Sequence, residues 1–278
     1  MEAKHLIMIA SVLIAIALVL IFFVWNVRRQ QKKYLQAKDF LALQALRSML
    51  MHLQRHRTLS VAVLDGDQSM LAELALVQSN TSRDLQCIAL EADWAKKDVP
   101  ADWLAITAHW ARLAGRYQYL NIRQNLDQHT KLIKNLLAFI DEIIITLNLR
   151  TPRVGYPLQG QTSWRYLLDL TEGLGQLRAI GLAYIASMER GEQAPRLRNV
   201  LQTKVTELTQ ALELNDCNQS VSKSQKNSIL QFIECFPEAL LKNPKKCSIK
   251  HYHQSATAIM DALYMEFDKE IKKLQDRL

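Results

Sequence analysis

The chain has 278 residues with only 8 glycines and 6 prolines. That is about 5%, against roughly 12% in average proteins, and it argues against a turn-rich sheet architecture. Hydrophobic residues make up 49% and the formal net charge is +8. Half of that surplus falls within residues 1–39, so it gives little ground for a nucleic-acid partner, and none is expected.

Residues 6–25 (LIMIASVLIAIALVLIFFVW) carry no charge. As a helix rising about 1.5 Å per residue they would extend about 30 Å, the depth of a bilayer's hydrocarbon core. The run ends in Phe22-Phe23-Val24-Trp25 rather than in small residues, so it reads as an uncleaved membrane anchor, not a signal peptide. Arg28, Arg29, Lys32 and Lys33 follow it, and Lys4 alone precedes it. This asymmetry predicts a single-pass protein of a bacterial inner (cytoplasmic) membrane with its large domain on the cytoplasmic side rather than the periplasmic one. The even count of cysteines (Cys87, Cys217, Cys235, Cys247) leaves the disulfide alternative open, though their spacing forms no metal motif.

Helical spacings then dominate. Leu43, Leu46, Leu50, Leu53, Val61 and Leu64 form the stripe of a first helix over about 31–64, which is able to continue from the membrane span. Asp65-Gly66-Asp67 breaks it, and a second helix is predicted over about 68–97. Pro100 opens a third to about Tyr119, and a fourth covers about 122–149. Residues 150–162 (RTPRVGYPLQGQT) hold two prolines and two glycines and read as a linker. Ser163 is a candidate cap for a fifth helix to about Arg190, and a sixth follows Pro195 to about Leu214. A seventh covers about 222–241 and an eighth about 251–278. The expected fold is all-α: a membrane anchor and basic flank (1–30), a first antiparallel four-helix bundle (31–149), the linker, and a second bundle (163–278).

Two arginines fall on faces that otherwise read as core. At about 100° per residue, Arg57 lies in the middle of the Leu43–Leu64 stripe, and Arg178 lies within the stripe of Leu167, Leu170, Leu174 and Ile185. Arg55 falls outside its stripe and should face solvent or another helix. A buried guanidinium stays charged and needs partners, either a carboxylate such as Glu172 or Asp141, or an anion shared between the two arginines. Arginine's planar fork suits a flat oxyanion.

The stretch Leu53-Gln54-Arg55-His56-Arg57-Thr58-Leu59-Ser60 resembles the LQ-x-ERG-x-S pattern of the nitrate- and nitrite-sensing (NIT) domain family, and Gly175-Gln176-Leu177-Arg178-Ala179-Ile180-Gly181 resembles that family's G-x-ERA-x-G pattern. His56 and Leu177 stand where the family has glutamate, and Thr58 where it has glycine. The resemblance implies two four-helix bundles and makes Arg57 and Arg178 the anion-binding arginines. Ser60 is a further candidate, through its hydroxyl, although a serine bonded to its own helix is the commoner outcome. Gly175 and Gly181 would admit a close ligand or a close helix.

No nucleotide loop, zincin or hydrolase motif occurs, so neither an enzyme, a cofactor nor a metal is expected. His251 and His253 fall on opposite helix faces, and Trp94, Trp103 and Trp110 read as core or interface rather than a ligand cage. The expected function is a membrane-anchored nitrate or nitrite sensor. Its partners would be the anion, the lipid bilayer, a downstream signalling protein that receives the output, and a second copy if it forms a homodimer. The alternative is a membrane-tethered helical scaffold or adaptor with no small-molecule ligand.

Overall fold

The computed structural model describes residues 2–92, 99–150, 159–214, 221–242 and 248–276, with the backbone alone at 2–15, 32, 36, 146–150, 159–163, 235–242, 249, 274 and 276. Among the described residues eight α-helices follow one another: α1 (Glu2–Leu64), α2 (Leu71–Glu91), α3 (Ala101–Arg116), α4 (Ile122–Arg150), α5 (Gln159–Glu189), α6 (Pro195–Leu214), α7 (Lys223–Lys242) and α8 (Ile249–Asp276). Among the described residues there is no strand.

The breaks have local causes. Gly66 (φ 109°) and Gly191 (φ 76°) turn the chain after α1 and α5 in a conformation that side chains with a Cβ resist. Ser222 and Gln225 open α7 with reciprocal bonds, Gln225 N–H to Ser222 Oγ at 3.2 Å and Ser222 N–H to Gln225 Oε1 at 2.9 Å. This is the capping-box exchange, which satisfies two otherwise free donors.

The apolar run of residues 6–25 and the first predicted helix form one unbroken helix of 63 residues, the continuation that the sequence allowed, because nothing between residues 25 and 64 interrupts helical spacing. Two sequence expectations shift. The helix α5 starts at Gln159, inside the expected linker, so Ser163 does not cap it; residues 151–158 lie outside the described residues. Among the described residues no helix is long and apolar enough to cross a membrane. The side chains of the expected span up to Ala15 lie outside them, and the described part, from Ile16, meets Asn26, Arg28 and Arg29 within thirteen positions.

Cross-helix contacts give the directions. His52 meets Asp84 and Arg55 meets Glu73, so α1 and α2 run antiparallel. Ser60 meets Asn125 and His56 meets His129, which sets α4 antiparallel to α1. In the second half Trp164 lies against Phe267 and Leu177 against Tyr252, setting α8 antiparallel to α5. Between the halves α1 and α5 run side by side in the same direction, with Arg57 on Glu172 and Asp65 on Arg190. The two helical halves therefore share one continuous apolar core, from Phe40, Leu43 and Leu50 through Trp103, Leu136 and Ile140 to Leu174, Ile185, Phe232 and Phe267.

Trp103 stacks on Phe139 and belongs to this core, as does Trp110; Trp94 lies outside the described residues. Cys87 is free and exposed, while the remaining cysteines' side chains lie outside the described residues.

Candidate functional site

One turn and a half of α1 carries three layers of polar contacts into the interior. His56 faces α4, where its Nδ1 lies 2.7 Å from His129 Nε2; His129 Nδ1 lies 2.8 Å from the Asn125 carbonyl oxygen. A carbonyl only accepts, so His129 carries its proton on Nδ1 and its Nε2 accepts from His56 Nδ1–H. His56 Nε2 then accepts from Gln78 Nε2 of α2 at 3.1 Å. Both imidazoles are neutral: burial lowers His56 to about 3 and holds His129 well below its ordinary value. One turn on, Ser60 donates to the Arg57 carbonyl oxygen at 3.1 Å and accepts from Asn125 Nδ2 at 2.9 Å. Its hydroxyl serves the α1–α4 contact, not the guanidinium groups.

Arg57 points the other way, toward α5, and is fully buried. Its Nη1 donates to Glu172 Oε1 at 2.7 Å and its Nη2 to Glu172 Oε2 at 3.2 Å, a fork-to-fork pair. The same carboxylate accepts Gln54 Nε2 at 3.0 Å and Gln176 Nε2 at 2.7 Å. Tyr264 of α8 donates to Gln54 Oε1 at 2.8 Å and so fixes which way that amide faces. Glu172 thus sits in a cradle of four N–H donors supplied by three side chains.

Arg178, also on α5 and 4% exposed, has no such partner. Its Nη1 donates to Thr257 Oγ1 of α8 at 2.8 Å and its Nη2 reaches the Gln54 carbonyl oxygen at 3.4 Å. Among the described residues no carboxylate lies at ion-pair distance from it. Burial first, and the charge of Arg57 second, push its pKa down to about 10. Arg178 also holds neighbouring His253 down, second to burial, at about 4. The Nε–H groups of both arginines are buried without an acceptor. The two buried guanidinium ions thus have one carboxylate at ion-pair distance among the described residues, Glu172 on Arg57, and Asp261 acts on Arg178 only from farther off.

Glycines make these approaches fit. A Cβ on Gly175 would stand 2.8 Å from Arg57 Nη2, and one on Gly181 would stand 2.3 Å from the Tyr252 hydroxyl, which donates to the Leu177 carbonyl oxygen at 2.6 Å. Gly175 thus admits the arginine of α1 and Gly181 a tyrosine of α8.

A cleft of about 1130 Å³ opens beside the pair, bordered by α1, α4, α5 and α6. Arg57, Thr130 and Gln176 form its inner wall, and Arg123, Arg190, Arg196 and Lys204 stand around it with Asp127 and Glu192.

The structure thus brings Arg57 and Arg178 to the same α1–α5 seam, where Arg178 reaches the Gln54 carbonyl oxygen and Arg57 shares Glu172 with the Gln54 amide, and directs Ser60 elsewhere. Arg55 is exposed on Glu73 of α2, as its place outside the stripe predicts. Of the two acids considered as arginine partners, Glu172 takes Arg57, whereas Asp141 pairs with Arg165. Sequence reasoning did not single out Gln54, Gln176, Thr257 or Tyr264 as site residues. Gln54 and Gln176 lay within the two quoted motifs, but nothing in the spacing of Thr257 or Tyr264 marked them.

No protein-family model matches the chain, and no curated protein matches it. A solved structure does. The fold is similar to that of the NasR transcription antiterminator, with a TM-score of 0.68 over 93% of this chain and 74% of that one, at 14% sequence identity. At that identity the likeness is one of fold.

Proposed function

We propose that this protein is a membrane-anchored sensor of a small oxyanion, of which nitrate and nitrite are the leading candidates, bound at the seam between its helical halves by Arg57 and Arg178. The observation that carries the reading is Arg178: a buried guanidinium with no carboxylate partner, its Nε–H unmatched, beside a second arginine whose Nε–H is also unmatched. A monoanion would offset the charge of Arg178, which Asp261 meets only beyond ion-pair distance, and a flat one would offer acceptors in the plane of the fork. Because the arginines are contributed by α1 and α5, occupancy would bias how the two halves pack, by no more than the anion's differential affinity for the two arrangements. The output would pass through α1 or a dimer interface to a signalling partner.

The anchor reading rests on the N-terminal part of α1. From Ile16 to Trp25 its large apolar side chains are 46–66% exposed, and the Arg29 guanidinium lies over the Trp25 ring at 5.4 Å, where a membrane interface would place both.

The test is a titration of the full chain in nanodiscs with sodium nitrate, nitrite, formate and chloride, following the melting temperature. Nitrate or nitrite should raise it saturably, by about 2.7 kcal/mol of added stability at a hundredfold excess over Kd. Arg178→Ala should abolish the response. One observation favours a second reading, a tethered scaffold without ligand: both terminal nitrogens of Arg57 already donate to Glu172. That reading predicts equal melting in all four salts.

A further inference from the structure

The Glu172 carboxylate is itself a planar three-atom oxyanion group held as a ligand would be. It receives two donors from Arg57, one from Gln54 and one from Gln176. The cradle is assembled from α1 and α5, and Tyr264 of α8 and the missing side chain of Gly175 both serve to hold its shape. It has a route to solvent, since Arg57, Thr130 and Gln176 line the cleft. Arg57 itself is fully buried, whereas Gln176 and Thr130, which line the cleft with it, are half-buried.

We infer that Glu172 is a tethered competitor for the anion site: it fills the Arg57 fork when no ligand is present, and a small planar oxyanion or carboxylate entering by the cleft must displace it. This rests on the anion-binding reading above and adds to it a residue that sets affinity and ligand class. The exchange breaks the Glu172 bonds to Arg57 and replaces them with bonds to the incoming anion; no proton or covalent bond changes hands. A competitor on the same chain is always present at high effective concentration, so it weakens every external anion in proportion. It also selects for anions that use the fork bidentately, since a spherical ion regains only part of what the carboxylate gives up. The displaced glutamate leaves α5 free of α1 at that point, so ligand exchange and the contact between the helical halves are one event.

The experiment compares wild type, Glu172→Gln and Glu172→Ala as full chains in nanodiscs, titrated with sodium nitrate and, separately, sodium formate, with sodium chloride for ionic strength. Glu172→Gln keeps the size and loses the charge, and should bind nitrate at least about tenfold more tightly than wild type. Glu172→Ala empties the cradle, and formate should raise its melting temperature while leaving wild type nearly unmoved. Glu172→Asp, one methylene short, keeps the charge and should fall between wild type and Glu172→Gln; it serves if the other variants do not fold. Equal nitrate affinity in wild type and Glu172→Gln, lost in Arg178→Ala, would overturn the competitor and leave the anion site standing. No response to any anion in wild type or any folded variant would overturn both.

Discussion

Arg57 on α1 and Glu172 on α5, 115 positions apart, meet fork to fork with Nη1–Oε1 at 2.7 Å and Nη2–Oε2 at 3.2 Å. The guanidinium is wholly buried and the glutamate side chain is 9% exposed. Removing one partner strands the other charge. Arg57→Ala should therefore cost about 3–5 kcal/mol, and the Arg57→Ala, Glu172→Ala pair clearly less than the sum of the single losses. Arg55 and Glu73 pair at the surface, with Arg55 Nε and Nη2 both donating to Glu73 Oε1, and Arg55→Ala should stay within about 1 kcal/mol of wild type. Urea unfolding of the four variants reads both; strict additivity at Arg57 and Glu172 would mean that the pair contributes no coupling.

Glycines at three positions should behave differently. Gly115, near the end of α3, has nothing within 4 Å of an added Cβ, so Gly115→Ala should stabilise by about 0.5–1 kcal/mol through helix propensity. Gly181→Ala would drive a methyl into Tyr252 and should destabilise by about 1–3 kcal/mol. Gly175→Ala should destabilise similarly and also weaken any anion response, because its nearest obstacle is Arg57 Nη2. Thermal melts with and without nitrate separate the two effects.

Acid should weaken the fold well above the carboxylate range. His56 is held at about 3 by burial, below the ordinary 6.5, so as pH falls the unfolded chain takes up this proton first. Stability attributable to it is present above about pH 6.5 and is lost as pH falls toward 3, at about 1.4 kcal/mol per pH unit. The geometry agrees, since a second proton on His56 would fall on Nε2, against the Gln78 amide N–H, and one on His129 would fall on Nε2, against His56 Nδ1–H. Stability at pH 5 should therefore be lower than at pH 7 by about 2 kcal/mol, with His129 adding in the same direction. Identical urea midpoints at the two pH values would mean that the pair is already charged when folded.

Cys87 reports topology. It is free and exposed on α2. With the large domain on the cytoplasmic side, and with Cys217, Cys235 and Cys247 replaced by serine, a membrane-impermeant maleimide should label Cys87 only after cells are opened, and adding Cys87→Ser should lose that band. Labelling of Cys87 in intact spheroplasts would reverse the orientation.

The helical class was legible because it depends on spacing and on scarcity: few glycines and prolines, apolar residues at three and four, and breaks at Gly66 and Gly191 that adopt positive φ. Arg57 was legible for the same reason, as a charge at the centre of an apolar stripe. The wheel was less informative for α5. That helix is buried on nearly all sides because it packs on α1 and α4 as well as on α6 and α8, so a single stripe does not describe it. Glu172 and Gln176 lie away from the Leu167–Leu174 stripe and still face the interior, toward α1.

Sequence alone thus determined that the chain is helical, where it turns, and that two arginines stand where leucines usually do, because these follow from local periodicity. Only the tertiary structure decided what each arginine meets. The parallel course of α1 and α5 sets Glu172 opposite Arg57, and the return of α8 gives Arg178 a threonine hydroxyl instead of a carboxylate. Those pairings join residues 79 to 115 positions apart, and only the packing of the helices brings them within bonding distance.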